Sequence, residues 1–296
     1  MKIVISGGTG FLGRPLAAAL TADRHDVVVL TRDERPWRAH VDGANAVVNL
    51  AGEPIAGTRW SAEHKRKILD SRVKATRTLA DAIRTAASPP AVFVSGSAVG
   101  YYGPLGDEVA TEDTPAGSDF LARVCVEWEA EAERAASTRT RVACVRTGLV
   151  LEKDGGALPR MLPPFKFGVG GPVGSGRQYW PWIHREDWIN LVRWTIQTPA
   201  AAGPINATAP TPVTNVEFAR ALGRALHRPA FMPAPAFALR LLLGEMADAL
   251  LLSGQRAVPA KAERLGFRFG YRDLDRALRA IFTEVVSTQP RGAARR

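Results

Sequence analysis

The chain opens MKIVISGGTGFLGR, residues 1–14, and this stretch decides the fold. Lys2 to Ser6 reads as a buried strand. Gly7, Gly10 and Gly13 follow it directly as G-x-x-G-x-x-G, and Phe11 to Ala22 then reads as a helix, with Pro15 tolerable in its first turn. Glycines at these positions permit a tight turn and let the backbone approach a pyrophosphate, which then sits at a helix N-terminus. A glycine triplet alone is weak evidence, and a ligand-free glycine turn is the alternative. The strand before it and the helix after it are the context that gives the pattern meaning.

The same alternation continues along the chain. Asp26 to Thr31, Ala46 to Leu50, Ala91 to Ser95 and Arg141 to Arg146 are continuous apolar runs, as expected of strands covered on both faces. Ser61 to Ala87 and Asp119 to Ser137 have helical period between them. This pattern predicts an α/β fold, a doubly wound parallel sheet of the Rossmann type. After Val150 the texture changes to a Gly-, Pro- and aromatic-rich connection, residues 155–184. A helix (185–198), a short strand (204–208) and a helix capped by Thr214 come next. The remainder is helical and proline-punctuated. The expected organisation is a dinucleotide-binding domain over residues 1–152, completed by 185–210. A smaller, mostly helical C-terminal lobe over 153–184 and 211–288 covers a pocket, and a basic tail at 289–296 is disordered.

Composition narrows the classes further. A hydrophobic content of 46% and a charged content of 23% are those of a globular protein. The net charge of +10 comes from arginines scattered over many helices rather than a basic stripe with interleaved aromatics, which argues against nucleic acid. Cys125 and Cys144 lack metal-ligand spacing and are expected to be reduced thiols in the cytoplasm; no metal is expected. No apolar run approaches the length of a membrane span. The expected partner is a small molecule in a pocket between the lobes, with no nucleic acid and no membrane. An oligomer is left open.

The end of the second strand selects the cofactor. An acidic residue there holds the ribose 2′-hydroxyl of NAD, whereas an arginine accommodates the 2′-phosphate of NADP. Thr31 and Arg32 stand at that point, with Asp33 as a counter-signal. A hydroxyl and a guanidinium both suit phosphate oxygens. NADP(H) is therefore expected; a solvated loop arginine is the alternative.

GGTGFLG, VVNLAG, SGSAVGYYG and WIHREDW together resemble the extended short-chain dehydrogenase/reductase superfamily. NLAGEPI, WEAEAE, RTGLVLEKDGGAL, LPPFKFGVGGPVGSG and LLLSGQRAVPAKAERLGFRF narrow the likeness to an atypical, epimerase-like branch with a C-terminal domain of unknown function, DUF1731. The likeness runs from Met1 to about Phe282. It implies a Rossmann-type domain that binds NADP(H) and a C-terminal lobe over a substrate pocket. The expected cofactor contacts are Gly7, Thr9, Gly10, Phe11, Leu12, Gly13, Thr31, Arg32, Leu50, Ala51, Gly52, Arg72, Ser95, Gly96 and Arg146. Arg72 stands where many extended members carry asparagine. Only 13 residues separate Arg32 from Ala46, fewer than the likeness implies.

The superfamily's acid/base is a Tyr-x-x-x-Lys pair on the helix after the fourth strand. Four residues after Tyr101, Tyr102, Tyr179 and Tyr271 come Leu105, Gly106, Ile183 and Asp275, and there is no lysine from 75 to 152. Spacing from Ser97 puts Phe120 and Val124 in the two slots. The candidates that remain are Ser97, Tyr101 and Tyr102 on the loop leaving the fourth strand. Tyr102 reads equally as a pocket wall. His184 reads either as a packed residue at a helix start or as one reaching the pocket. Two function classes stay open. One is an NADP(H)-dependent, epimerase-like oxidoreductase on a small molecule; the other is a non-catalytic NADP(H)-binding regulatory protein acting through a partner. A cofactor-retaining sugar epimerase fits less well for want of the base.

Overall fold

The computed structural model describes residues 1–31 and 37–283. Arg32 and the tail at 289–296 lie outside them. Six parallel strands form the central sheet: β1 (Lys2–Ser6), β2 (Asp26–Leu30), β3 (Ala46–Asn49), β4 (Val92–Ala98), β5 (Arg141–Thr147) and β6 (Gly203–Ala207). Their order is β6-β5-β4-β3-β1-β2. The chain reverses its winding between β1 and β3, and in such sheets ligands bind at the carboxyl ends of the strands at that switch point. Among the described residues β2 is the outer edge. Among the described residues the short crossover from β2 to β3 supplies one helical turn, Arg38–Val41, with Trp37 and Val41 packed onto the sheet.

Strand residues alternate between the two covered faces. Ile3, Ile5, Val48 and Val94 pack with α1 (Gly13–Ala22) and, further along the chain, the helix at Arg185–Gln197. Val4, Val47, Phe93 and Val142 pack with α2 (Ala62–Arg84) and α3 (Phe120–Glu133). The helix starts carry the expected caps. Ser61 accepts from the His64 amide at 3.1 Å, and Asp119 accepts from the Ala122 amide at 2.7 Å.

The excursion after β5 builds the second layer of the molecule. It contains α4 (Leu158–Lys166) and leads into α5 (Arg185–Gln197), which returns the chain to β6. Then follow α6 (Asn215–Leu226), α7 (Ala236–Leu243) and, near the end, α8 (Leu274–Phe282). Thr214 and Glu217 form a reciprocal capping box at the start of α6. Leu158, Leu162, Phe165, Trp180, Trp182 and Phe218 are the bulk of this lobe's core. Contacts tie the lobe to the segment between β3 and α2 and to the first turn of α2. Arg160 donates to the Ala56 carbonyl at 2.6 Å, Lys65 pairs with Glu245 at 2.8 Å, and Gly244 packs on Arg59.

Candidate functional site

The glycine loop lies at the switch point, where its geometry explains each glycine. Gly7 has φ +77°, and a methyl group there would come within 2.6 Å of the Leu50 carbonyl carbon and 2.7 Å of the Ala51 nitrogen. A methyl on Gly13 would overlap the carbonyl oxygen of Gly7 and lie 2.6 Å from the Gly8 Cα. The loops after β1 and β3 are therefore in backbone contact, with no room for side chains between them. The Gly10 amide donates to the Gly7 carbonyl at 3.1 Å, which folds the turn. No side chain caps the start of α1 and no acidic residue sits in its first turn. The helix thus presents its positive end outward, as a pyrophosphate requires.

Gly7 and Gly13 are inward-facing, Thr9 and Gly10 are exposed, and Phe11 and Leu12 are half-buried. The Phe11 ring is covered by Gly155 and Gly156 of the excursion, where added methyls would overlap it, and Arg185 lies 5.4 Å from the ring centre. Thr31 is exposed just beyond β2, and its carbonyl accepts from the Trp37 indole at 3.0 Å.

Arg72 is buried on α2. It donates to the carbonyls of Glu53 at 3.0 Å and Ile68 at 2.9 Å, lies 5.2 Å from the Trp128 ring centre and bears on Gly52. Among the described residues it has no carboxylate ion-pair partner. Burial pulls its pKa down, against its charge. A buried cation beside Gly52, hydrogen-bonded among the described residues to carbonyls alone, fits an anionic ligand at the end of β3.

The residues around Ser97 form a closed polar network. Ser97 donates to Glu129 at 2.6 Å, and Glu129 takes two bonds from Arg146, each 2.8 Å. Arg146 donates to the Tyr102 hydroxyl at 3.0 Å, and that hydroxyl donates to the Asn206 side-chain carbonyl at 2.6 Å. The Glu112 carboxylate accepts from the amides of Asn206 and Lys261, each at 3.0 Å. Tyr102 and Arg146 are buried, and burial pushes the Tyr102 hydroxyl up to about 12 despite the neighbouring guanidinium. The Arg146 guanidinium also stacks 3.4 Å above the Tyr101 ring centre. Ser97, Tyr101, Tyr102 and Arg146 are therefore brought together. The hydroxyls of Ser97 and Tyr102 are committed to protein partners; Tyr101 is half-buried and its hydroxyl makes no bond among the described residues. Ser95 is wholly buried in β4, and Gly96 is held against the Trp128 ring.

Leu121, Cys125, Trp128 and Glu129 of α3 meet the end of β4 and the turn beyond it. Leu121 lies against Gly100, the Cys125 thiol donates to the Ala98 carbonyl at 3.6 Å, and Glu129 binds Ser97. The α3 face turned to the end of β4 thus includes Leu121, Cys125 and Glu129, at i, i+4, i+8, with Trp128 beside them on Gly96. Phe120 instead meets Trp60 edge-on at 5.3 Å, with Lys65 4.6 Å from its ring centre. Burial raises the Cys125 thiol to about 12. Neither register supplies a tyrosine or a lysine.

His184 is packed rather than free. Its Nδ1 accepts from the Glu186 amide at 3.2 Å, capping α5, and its ring stacks on Tyr271 at 3.8 Å. Burial lowers its pKa. The residues that sequence reasoning missed are Glu129, Asn206, Glu112 and Trp128. Glu129 lies in WEAEAE, a run that carries the family likeness and by itself gives the residue no role. Asn206 sits in a strand over 100 residues from its hydroxyl partner.

A glycine cradle at the switch point, an uncapped helix start and a buried arginine define a dinucleotide-binding α/β protein. Residues 3–207 match the NAD dependent epimerase/dehydratase family, and residues 234–281 match a domain of unknown function, DUF1731. The chain belongs to the NAD dependent epimerase/dehydratase family. It is 45% identical over 303 residues to an Arabidopsis thaliana protein named epimerase family protein SDR39U1 homolog, chloroplastic, covering 95% of this chain and 86% of the relative. It is 41% identical over 290 residues to epimerase family protein ML0860 of Mycobacterium leprae, covering 93% and 94%. The crystal structure of human epimerase family protein SDR39U1 (isoform 2), solved with NADPH, superposes with a TM-score of 0.89 at 36% identity, covering 95% of this chain and 99% of that one. Among the described residues no helix is long and apolar enough to cross a membrane.

Proposed function

We propose that the chain binds NADP(H) across the carboxyl ends of β1 and β3 and acts as an epimerase-like oxidoreductase on a small molecule held between the sheet and the C-terminal lobe. The observation that carries the cofactor reading is the backbone-only cradle at Gly7 and Gly13 beneath the uncapped start of α1. The cradle and Arg72 fit the pyrophosphate; Thr31, with Arg32 beside it in sequence, fits the 2′-phosphate. NADPH of the human relative supports the choice of nucleotide. When bound, the cofactor supplies a hydride at its nicotinamide. The protein's part is to hold the pyrophosphate on backbone amides, to exclude water with Phe11 under Gly155 and Gly156, and to present Tyr101 to the substrate oxygen. The two buried, unpaired cysteines support a reducing compartment, the cytoplasm.

The commitment of Ser97 and Tyr102 to the Glu129–Arg146 network favours a second reading, a regulatory NADP(H)-binding protein without turnover. Titration of the protein with NADPH and NADH, followed by a screen of carbonyl compounds for NADPH oxidation, separates the readings. NADPH is expected to bind more tightly, and Arg72→Met to weaken it about tenfold or more, the worth of a lost charge-assisted bond. Turnover is expected to vanish in Tyr101→Phe. Tighter NADH binding would sink the cofactor choice, and tight NADPH binding with no turnover across diverse carbonyls would establish the regulatory reading.

A further inference from the structure

The C-terminal lobe exposes an apolar face that its own fold leaves uncovered. Helix α7 reads AFALRLLL, yet none of its residues is buried. Phe237, Leu241 and Leu242 are 72–79% exposed. Phe237 and Leu241 share one helical stripe, and Leu242 lies on the next. Beside the helix, Phe167 is 83% and Phe231 72% exposed. These segments are joined by backbone bonds: the Met232 amide donates to the Gly170 carbonyl at 3.1 Å, and the Ala234 amide to the Pro172 carbonyl at 2.8 Å, one residue before Pro235 leads into α7. Five large side chains so exposed present on the order of 600 Å² of apolar surface, at the upper end of what a free monomer shows.

The surrounding charge selects the occupant. Lys166 directly precedes Phe167, and Arg228 stands three residues before Phe231. Both are exposed, and neither has an ion-pair partner among the described residues. Arg240, on α7 itself, is neutralised by Asp248 at 2.8 Å. The chain as a whole carries +10. A second copy related by a two-fold axis would set these cations against their equivalents. The patch also falls short of the roughly 800 Å² per partner of a standard dimer interface. An anionic bilayer surface offers both a sink for the phenylalanine and leucine tips and countercharge for the lysine and arginine.

We infer that this face docks the protein onto anionic membrane surfaces, with α7 lying in the interface and no segment spanning. The inference departs from the sequence-based expectation of no membrane partner, because a spanning run and a surface patch are different features. It is independent of the cofactor reading.

The test is flotation of the full chain with vesicles of phosphatidylcholine alone and with about 30% phosphatidylglycerol added, at about 0.05 M and about 0.5 M salt. The anionic vesicles are expected to bind at least about tenfold more protein at low salt, with most of that gain lost at high salt. Phe237→Ser with Leu241→Ser should reduce binding by about tenfold or more. Lys166→Gln with Arg228→Gln should reduce it about 25-fold, from roughly fivefold per charge. Both double variants should keep the wild-type Tm and NADPH affinity, since all four residues are exposed. Absence of wild-type binding to the anionic vesicles overturns the inference. So does binding that survives both double variants. A dimer in sedimentation equilibrium that Phe237→Ser with Leu241→Ser dissociates would assign the face to a second copy instead.

Discussion

Replacing Tyr102 with phenylalanine removes one oxygen and tests the whole network. That oxygen donates to Asn206 at 2.6 Å and accepts from Arg146 at 3.0 Å, in a fully buried setting. After the change, Arg146 Nη1 keeps only the longer bond to the Glu112 carbonyl at 3.3 Å. The Asn206 carbonyl oxygen loses its only donor among the described residues. An orphaned buried acceptor costs about 1–3 kcal/mol, and weakening a bond from a charged donor costs about 1 kcal/mol more. The expected loss is about 3 kcal/mol, or about 6 °C in Tm for a chain of this size. Urea denaturation should show a lower midpoint at unchanged slope. Tyr101→Phe is the control, because its ring can still stack under Arg146, and it should shift stability by less than about 0.5 kcal/mol. Equal shifts for the two variants would refute the argument. So would a Tyr102→Phe protein of wild-type stability that has lost NADPH-linked turnover, because the hydroxyl would then face substrate rather than Asn206.

Gly13→Ala should raise the Kd for NADPH by about 100-fold or more, measured by quenching of protein fluorescence, because its new methyl meets the Gly7–Gly8 backbone and nothing flexible can yield. Thiol reagents should label neither cysteine in the native protein and both after denaturation, since Cys125 and Cys144 are buried and burial raises both thiols. The Arg77 guanidinium, backed by Arg134, holds the Glu131 carboxyl at about 2, well below its ordinary 4.5. A depressed carboxyl binds protons more readily unfolded. Its stabilisation is therefore complete above pH 4.5 and lost as pH falls from there towards 2. Surface screening limits it to about 1 kcal/mol, and Glu131→Gln should remove that much of the acid dependence in pH-resolved denaturation.

The sheet was legible because its signals are local. β1 to β5 each carry an unbroken apolar run bounded by glycine or polar residues, and the strand–glycine–helix succession at residues 2–22 needs no distant partner to be recognised. Thr214 was readable as a cap for the same reason: its Glu217 lies three residues on. The position of the slot on α3 was not legible, because spacing from Ser97 counts through residues 99–119, whose path only the fold determines. A helix turns about 100° per residue, so a one-residue shift exchanges Leu121 and Cys125 for Phe120 and Val124. The network around Arg146 was illegible on other grounds. Its members come from residues 97, 102, 112, 129, 146, 206 and 261, and no local pattern distinguishes a carboxylate that grips a buried arginine from one in water. The missing Tyr-x-x-x-Lys pair was visible from the sequence alone, since four tyrosines without a lysine four residues on need no geometry to be recognised.

The return of the chain to β6 governs how the protein is made. During synthesis, a nascent chain ending at residue 152 holds five of the six strands, with β5 as a bare edge and Arg146 lacking the Asn206 that anchors Tyr102. About 50 further residues must emerge before Gly203–Ala207 can close that edge. Another 54 pass before the Lys261 amide reaches Glu112. The sheet and the lobe cannot mature in succession as two independent units. The nucleotide cradle, residues 7 to 72, therefore emerges early, while the edge strand and the polar network at the other end of the sheet wait on the C-terminal half.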